Sequence, residues 1–374
     1  MRNIFKIASL LAAAVMLFAC DGLGDTNVDE SGAALVLTAD KDVIQADGKD
    51  AVTFKVMLGD KDVTAEAEIY DEDDALAVLT DGKFTATEVG EYKFYANYGT
   101  LTTYSKSSDD NGYYVVKAIN VAVPAAPVDP YPQSTDFVHR AFLTQYTGTG
   151  CGYCPLMIKV LRELSAERVI PEKAVHAAVH SYGAGDPAYI NAPRVSNYPY
   201  LTVDLVQGFS AEQGAATLKN YVEIHSGGLA KAGISVNPCY YVNEATLVVK
   251  VAVKAAEDGI FNVGAWLLED GIYGQQSDYK NVGDESYNTH ENCVRIADSK
   301  YSGTWFGHPL GTLSKGGVAE KTFVMNINSK WKVENLHLAV FVSHGVANGS
   351  RLEYTVCNAV DVPIGVETRF EYAK

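Results

Sequence analysis

Residues 137–169 read FVHRAFLTQYTGTGCGYCPLMIKVLRELSAERV, and their pattern sets the expected architecture of the middle of the chain. A strand-like run, RAFLTQYT, enters a glycine-rich turn that carries Cys151 and Cys154. Beyond them Leu156, Val160, Leu161 and Leu164 recur at helical spacing. Pro155 is tolerated early in a helix, where its missing N–H costs little. A Cys-x-x-Cys on the first turn of a helix has a chemical logic. The unpaired N–H groups and positive end of the helix favour a thiolate on the first cysteine, and the second lies one turn on, within bonding range.

Rival readings of the motif are weaker. A c-type haem site needs His directly after the second cysteine, and position 155 is Pro. A four-cysteine zinc site needs a second close pair, whereas Cys239, Cys293 and Cys357 are isolated; His176 and His180 with two thiolates make only a poorly spaced mixed site. A GxGxxG phosphate loop would need Gly at 153, which is Tyr. An inert structural disulfide is the serious alternative, although so short a loop stabilises little through chain entropy. No metal and no cofactor is expected.

The compartment matters to this choice. Arg2 and Lys6 precede an apolar stretch from Ile7 to Phe18, shorter than the about 20 residues of a spanning helix and consistent with an export signal. LFAC (17–20) has the form of a bacterial lipobox, which makes Cys20 the expected lipid-bearing residue and lipid the only membrane attachment. The expected location is the cell envelope, lipid-anchored at the outer membrane, on either face. Of the six cysteines, Cys20 is thereby assigned; in an oxidising compartment Cys239, Cys293 and Cys357 are expected to include one structural disulfide.

The net charge is −16, and removing Arg2 and Lys6 with the signal makes it −18. Residues 21–125 hold 21 acidic and 8 basic side chains, a balance that disfavours nucleic acid and anionic lipid as partners. Short β-branched and aromatic runs fill 34–124, punctuated by Gly, Asp and Asn as in a β-sandwich. The acidic run DEDD (71–74) reads as a solvated turn rather than a calcium site. VPAAPVDPYPQS (123–134) has four prolines and reads as an extended, semi-rigid linker. From 136 to about 226 the pattern is strand, helix, strand, strand, helix, with Ser210 and Gln213 as a capping box, an α/β arrangement. After 229 strands return, interrupted by a polar excursion at 271–317.

Two resemblances add to this. LTADKDVIQADGKDAVTFKV and FTATEVGEYKFYANYG resemble a bacterial immunoglobulin-like domain. Strand, Cys-x-x-Cys, helix, strand and then VSNYPYLTVD resemble the thioredoxin fold. That likeness implies a cis Pro199 against the sulfurs and a Tyr198 backbone that pairs with a substrate peptide. TGTGCGYCP, VHSYGAGDP, WLLEDGI and THENCVRIADSKYSGTW, in that order, resemble the outer-membrane-protein-28-related lipoproteins of Bacteroidota-type bacteria, which couple a thioredoxin-like domain to a β-rich one. Gly150 and Gln145 depart from the thioredoxin pattern, which has Trp before the first cysteine and often a buried acid six residues before it; a carboxamide cannot accept the proton of the second thiol.

The sequence therefore predicts six segments. They are a signal peptide at 1–20 ending in Cys20, a tether at 21–33, an all-β immunoglobulin-like sandwich at 34–124, and a Pro-rich linker at 125–135. A central α/β thioredoxin-like domain follows at 136–228, and then a C-terminal all-β sandwich at 229–374. The expected activity is thiol–disulfide exchange with extracytoplasmic protein thiols or disulfides. Cys151 is the attacking residue, Cys154 the resolving one, Tyr198 and Pro199 the substrate-positioning pair, and Tyr153 and His180 auxiliary candidates. His176, His290, Glu291 and Asn292 read first as structural. The alternative is a surface-binding or adhesion lipoprotein on a degenerate thioredoxin scaffold, its disulfide inert.

Overall fold

The computed structural model describes residues 28, 32–73, 78–79, 81–105, 112–192, 195–298, 305–349 and 351–374. The expected signal, Cys20 and most of the tether lie outside them. The chain divides into two compact units, 1–122 and 123–374.

The strands of the first unit are β1 (Leu35–Ala39), β2 (Val43–Gln45), β3 (Ala51–Leu58), β4 (Lys61–Asp62), β5 (Glu68–Asp71), β6 (Lys83–Thr85), β7 (Gly90–Tyr98), β8 (Leu101–Thr102) and β9 (Tyr114–Ile119). They form one sheet of β1, β3, β4 and β6 and another of β2, β9, β7, β5 and β8. Alternation supplies the core: Val52, Phe54 and Val56 of β3 face Phe94 and Ala96 of β7, while Thr53 and Lys55 face water.

The second unit opens with β10 (Ala141–Thr147), α1 (Cys154–Ala166), the short α2 (Val169–Glu172), β11 (Ala174–His180), β12 (Tyr200–Val203), β13 (Gln207–Phe209) and α3 (Ala215–His225). It continues with β14 (Ala232–Tyr241), β15 (Thr246–Ala255), β16 (Gly259–Glu269), β17 (Ile272–Tyr273), β18 (Thr289–His290) and β19 (Cys293–Asp298). The last strands are β20 (His308–Leu313), β21 (Val318–Asn326), β22 (Leu336–Asn348) and β23 (Arg351–Pro363). The predicted capping box forms, with Ser210 N donating to Gln213 Oε1 at 2.9 Å, but it caps a 3-10 turn ahead of α3.

The expected α/β thioredoxin-like domain over 136–228 is corrected here. The described residues are mostly β, 47 % strand and 12 % helix. Strands β10 to β13 do not close a layer of their own; they belong to a nine-stranded sheet ordered β13-β12-β10-β11-β19-β16-β22-β23, with β20 also on β16. Helices α1 and α3 cover one face of β10 and β12 through Met157, Leu161, Leu218 and Val222. The other face meets strands. Four strand spacings separate β10 from β22, about 19 Å in a flat sheet. Yet the Phe142 and Phe341 rings stack with centroids 4.8 Å apart, and Phe142 meets Trp266 edge-on at 5.2 Å. The sheet therefore curls until its own face closes on itself. Strand β16 is buried on both sides: Trp266 and Leu268 enter this inner core, and Phe261, Val263, Ala265 and Leu267 pack against the β14-β15-β21 sheet.

The prolines at 123–134 do not bridge as a free spacer. Lys254, nearly buried, reaches Asp129 Oδ2 at 2.9 Å and the Pro132 carbonyl at 2.7 Å, and Asn237 Nδ2 donates to the Ala125 carbonyl at 2.9 Å. These contacts fasten the segment to β14 and β15 and make it part of the second unit. Among the described residues no helix is long and apolar enough to cross a membrane.

Candidate functional site

Cys151 and Cys154 are joined by a disulfide, with Cα atoms 5.4 Å apart. The turn between them is tight: Cys151 N donates to the Gly148 carbonyl at 3.0 Å and Cys154 N to the Cys151 carbonyl at 3.1 Å. Cys154 opens α1 with Pro155 behind it, and Met157, Val160, Leu161 and Leu164 anchor the helix to the sheet. Both cysteines are buried, Cys151 at 2 % exposure and Cys154 at 0 %.

A strap from the polar excursion covers the turn. The Gln276 carboxamide Nε2 lies 3.4, 3.2 and 3.0 Å from the carbonyl oxygens of Gly148, Thr149 and Cys151. Ser277 N donates to Thr149 O at 2.8 Å and Tyr279 N to Gly152 O at 2.8 Å. The Tyr279 ring lies so close to Gly152 that a Cβ there would fall 2.5 Å from it, so position 152 admits only glycine while the strap is down. Tyr279 also meets Tyr153 edge-on at 5.6 Å, and Tyr153 is half-exposed at the helix cap. Arg162 of α1 fastens the far end, donating to Ser286 Oγ and O and lying 4.1 Å over the Tyr287 ring.

The opposite flank is aromatic too. Tyr198–Pro199 is a cis peptide, and the pairing of Tyr146 with Tyr200 sets it beside the end of β10, next to the cysteine turn. Tyr198 bonds Ser181 Oγ at 2.9 Å and packs edge-on against Tyr182 at 5.3 Å; the Tyr182 ring in turn lies over Gly150. An aromatic collar thus surrounds the disulfide.

Beneath the turn sits a polar relay. Asp186 Oδ2 accepts from Thr149 N at 2.6 Å and from His180 Nδ1 at 2.9 Å, and its Oδ1 accepts from Ala188 N at 2.8 Å. Burial alone would raise the Asp186 pKa, but these bonds hold it down at about 2. A carboxylate accepts only, so His180 Nδ1 carries hydrogen and its Nε2 faces Cys293 Sγ at 3.6 Å. Cys293 is fully buried, and burial pushes its thiol well above the ordinary range. The arrangement is Cys-His-Asp in connectivity, with the sulfur held as a neutral thiol.

His176 and Gln145 form a separate bonded pair. Gln145 Oε1 lies 3.2 Å from His176 Nε2, and Asn292 Nδ2 lies 3.3 Å from Nδ1, so Asn292 donates and the Nε2 hydrogen turns to Gln145. Gln145 occupies the position of the missing acid and orients a histidine. His290 bonds the Gly274 carbonyl at 3.0 Å and packs edge-on on His180 at 5.0 Å; Glu291 accepts from Gly271 N at 3.0 Å.

Cys239, Cys293 and Cys357 are all free, which corrects the expectation of a structural disulfide among them. They occupy β14, β19 and β23, and the extra pairing that sequence arithmetic suggested is not made. Among the described residues no group of three His, Cys, Asp or Glu is placed to hold a metal; of the acidic run, Asp71 accepts from Asp73 N at 3.0 Å, and Asp74 lies outside the described residues. Sequence reasoning missed Gln276, Tyr279 and Tyr182. For Gln276 and Tyr279 the signal was the polar character of the excursion, and nothing local ties it to a turn more than a hundred residues earlier; Tyr182 stands in the VHSYGAGDP motif, where nothing marks its ring as a neighbour of Gly150.

No family model and no curated protein matches the sequence. Among solved structures, HBP35 of Porphyromonas gingivalis, a Bacteroidota protein, is similar over 64 % of this chain and 80 % of its own, with 15 % identity and a TM-score of 0.48. A structural-genomics target from Agrobacterium tumefaciens is similar over 64 % of this chain and all of its own, at 13 % identity and a TM-score of 0.40. At such scores the likenesses define neither family nor activity, and the outer-membrane-protein-28 resemblance rests on its short motifs alone.

Proposed function

We propose that the Cys151–Cys154 pair is a redox centre that exchanges thiols and disulfides with extracytoplasmic proteins. The observation that carries this reading is the position of the disulfide: on the first turn of α1, within a collar of half-exposed tyrosines and beside the Tyr198–Pro199 turn. In the reduced form the Cys151 thiolate attacks one sulfur of a substrate disulfide, and the other substrate sulfur leaves as a thiolate. Cys154, deprotonated, then attacks Cys151 Sγ and releases the second substrate thiolate. Two electrons pass to the substrate and the pair returns to the disulfide. Tyr198, Pro199 and Tyr153 line the approach, and His180 acts on the turn through Asp186. On this reading the protein works in the cell envelope, held by lipid on Cys20.

In the test, Cys151→Ser abolishes exchange with a model protein disulfide while Cys154→Ser accumulates a mixed disulfide on Cys151. Equal exchange by wild type and Cys151→Ser would refute the assignment. A second reading, a binding lipoprotein with an inert staple, is favoured by the burial of both sulfur-bearing residues beneath Gln276 and Tyr279.

A further inference from the structure

We propose that the first unit carries a saccharide-binding cleft on the solvent face of its β5-β7-β8 edge, independent of the disulfide. The alternation of β7 sends Phe94 and Ala96 into the core and turns Lys93, Tyr95 and Asn97 outward. Register pairs Tyr70 with Tyr95, Glu68 with Asn97, and Asn97 with Thr102, so these side chains share the outer face. On β3 the outward residues are Thr53 and Lys55, ordinary for water. On β5 and β7 the outer face instead holds tyrosines that no core requires.

The rings form one continuous group. Tyr70 and Tyr95 stack at 5.2 Å; Tyr104 and Tyr113 lie 6.0 and 6.2 Å from Tyr95 and 5.5 Å from each other. All four are half-buried. Tyr95, Tyr104 and Tyr113 border a cavity of about 530 Å³ whose walls include Glu68, Glu72, Asn97 and Thr102, a volume within the range of small-molecule sites. The β7–β8 turn at Gly99 and Thr100 forms part of its wall.

Charge selects the ligand class. Two carboxylates in the wall exclude anions. A cation already serves Glu72: Lys93 Nζ is 3.2 Å from its carboxylate and 5.8 Å from the Tyr113 ring centroid. Glu68 accepts from Tyr70 OH at 2.7 Å and keeps further lone pairs. Thr102 Oγ1 accepts from Tyr104 N at 3.1 Å, which leaves its hydroxyl hydrogen to donate. Ring faces flanked by carboxylate, amide and hydroxyl groups match a neutral pyranose, whose C–H face packs on a tyrosine while its hydroxyls both donate and accept.

The test is a glycan array probed with the whole exported chain, followed by titration of the bound saccharide. Wild type binds a neutral saccharide, and raised salt leaves the affinity unchanged. Tyr104→Ala and Tyr113→Ala each weaken it on the order of tenfold. Both residues lie outside the strands, and an unchanged near-ultraviolet circular dichroism spectrum, together with retained binding in Tyr95→Phe, separates loss of the site from loss of the fold. Cys151→Ser and Cys154→Ser bind as wild type, so failure here and failure of the redox reading are distinct. No saccharide bound by wild type, binding indifferent to both tyrosine variants, or preferential binding of spermidine at these tyrosines overturns the proposal.

Discussion

Gln276 Nε2 lies 3.0 Å from the main-chain oxygen of Cys151, a contact between residues 125 positions apart in sequence. It ties the cover of the cysteine turn to a hydrogen bond that a substitution removes without touching the cysteines. Gln276→Ala is expected to speed reduction of the disulfide by dithiothreitol about fivefold to thirtyfold, the equivalent of one or two bonds worth about 1 kcal/mol each. Tyr279→Ala, which uncovers Gly152, is expected to act in the same direction. Unchanged rates in both variants would mean that the strap does not gate the sulfurs.

Asp186 joins the cysteine turn to His180. Its folded pKa of about 2 lies below its ordinary 3.8, so its contribution to stability is present above 3.8 and is lost as pH falls through 2. Asp186→Asn is expected to cost about 2 kcal/mol at neutral pH, from weakened charge-assisted bonds, and to flatten the acid limb of the stability curve. Chemical denaturation across pH checks both.

His337 reports the opposite sign. Burial pulls its pKa down, but Asp270 at 3.4 Å and Asp361 at 2.7 Å outweigh that and hold it up at about 9. The stabilisation is full below 6.5 and fades as pH rises through about 9. Both carboxylates are partly exposed, so the expected loss in His337→Gln is on the order of 1 kcal/mol near pH 6, vanishing in alkali. A constant difference at all pH values would remove the ion pairs from the account.

The curled sheet predicts one cooperative body from 123 to 374. Phe142→Ala leaves the stack on Phe341 and the edge contact with Trp266 empty, at an expected cost of about 3–5 kcal/mol. Tryptophan fluorescence and far-ultraviolet circular dichroism should shift together for this unit; separated transitions would restore an independent domain over 136–228.

Legibility in the sequence followed range. Helical spacing located α1, and the Cys-x-x-Cys and the X-Pro before β12 were visible as motifs. What the local pattern lacked was partner choice. RAFLTQYT reads as a strand, yet nothing near Phe142 says that its ring will meet Phe341 rather than a helix, and that single choice replaces an α/β layer with a β closure. Gln145 was legible as the absence of an acid, while its bond to His176 depended on the register of β10 against β11. Cysteine arithmetic suggested a further disulfide among three residues that strand placement keeps unpaired.

The most direct test of the redox assignment is the reduction potential of the Cys151–Cys154 couple, read by differential alkylation of the intact protein in glutathione buffers. A redox-active pair gives a value above about −300 mV, with the dithiol and disulfide both populated across the buffer range. A value below about −300 mV, with the pair oxidised throughout, would contradict the assignment and leave the bond a structural staple.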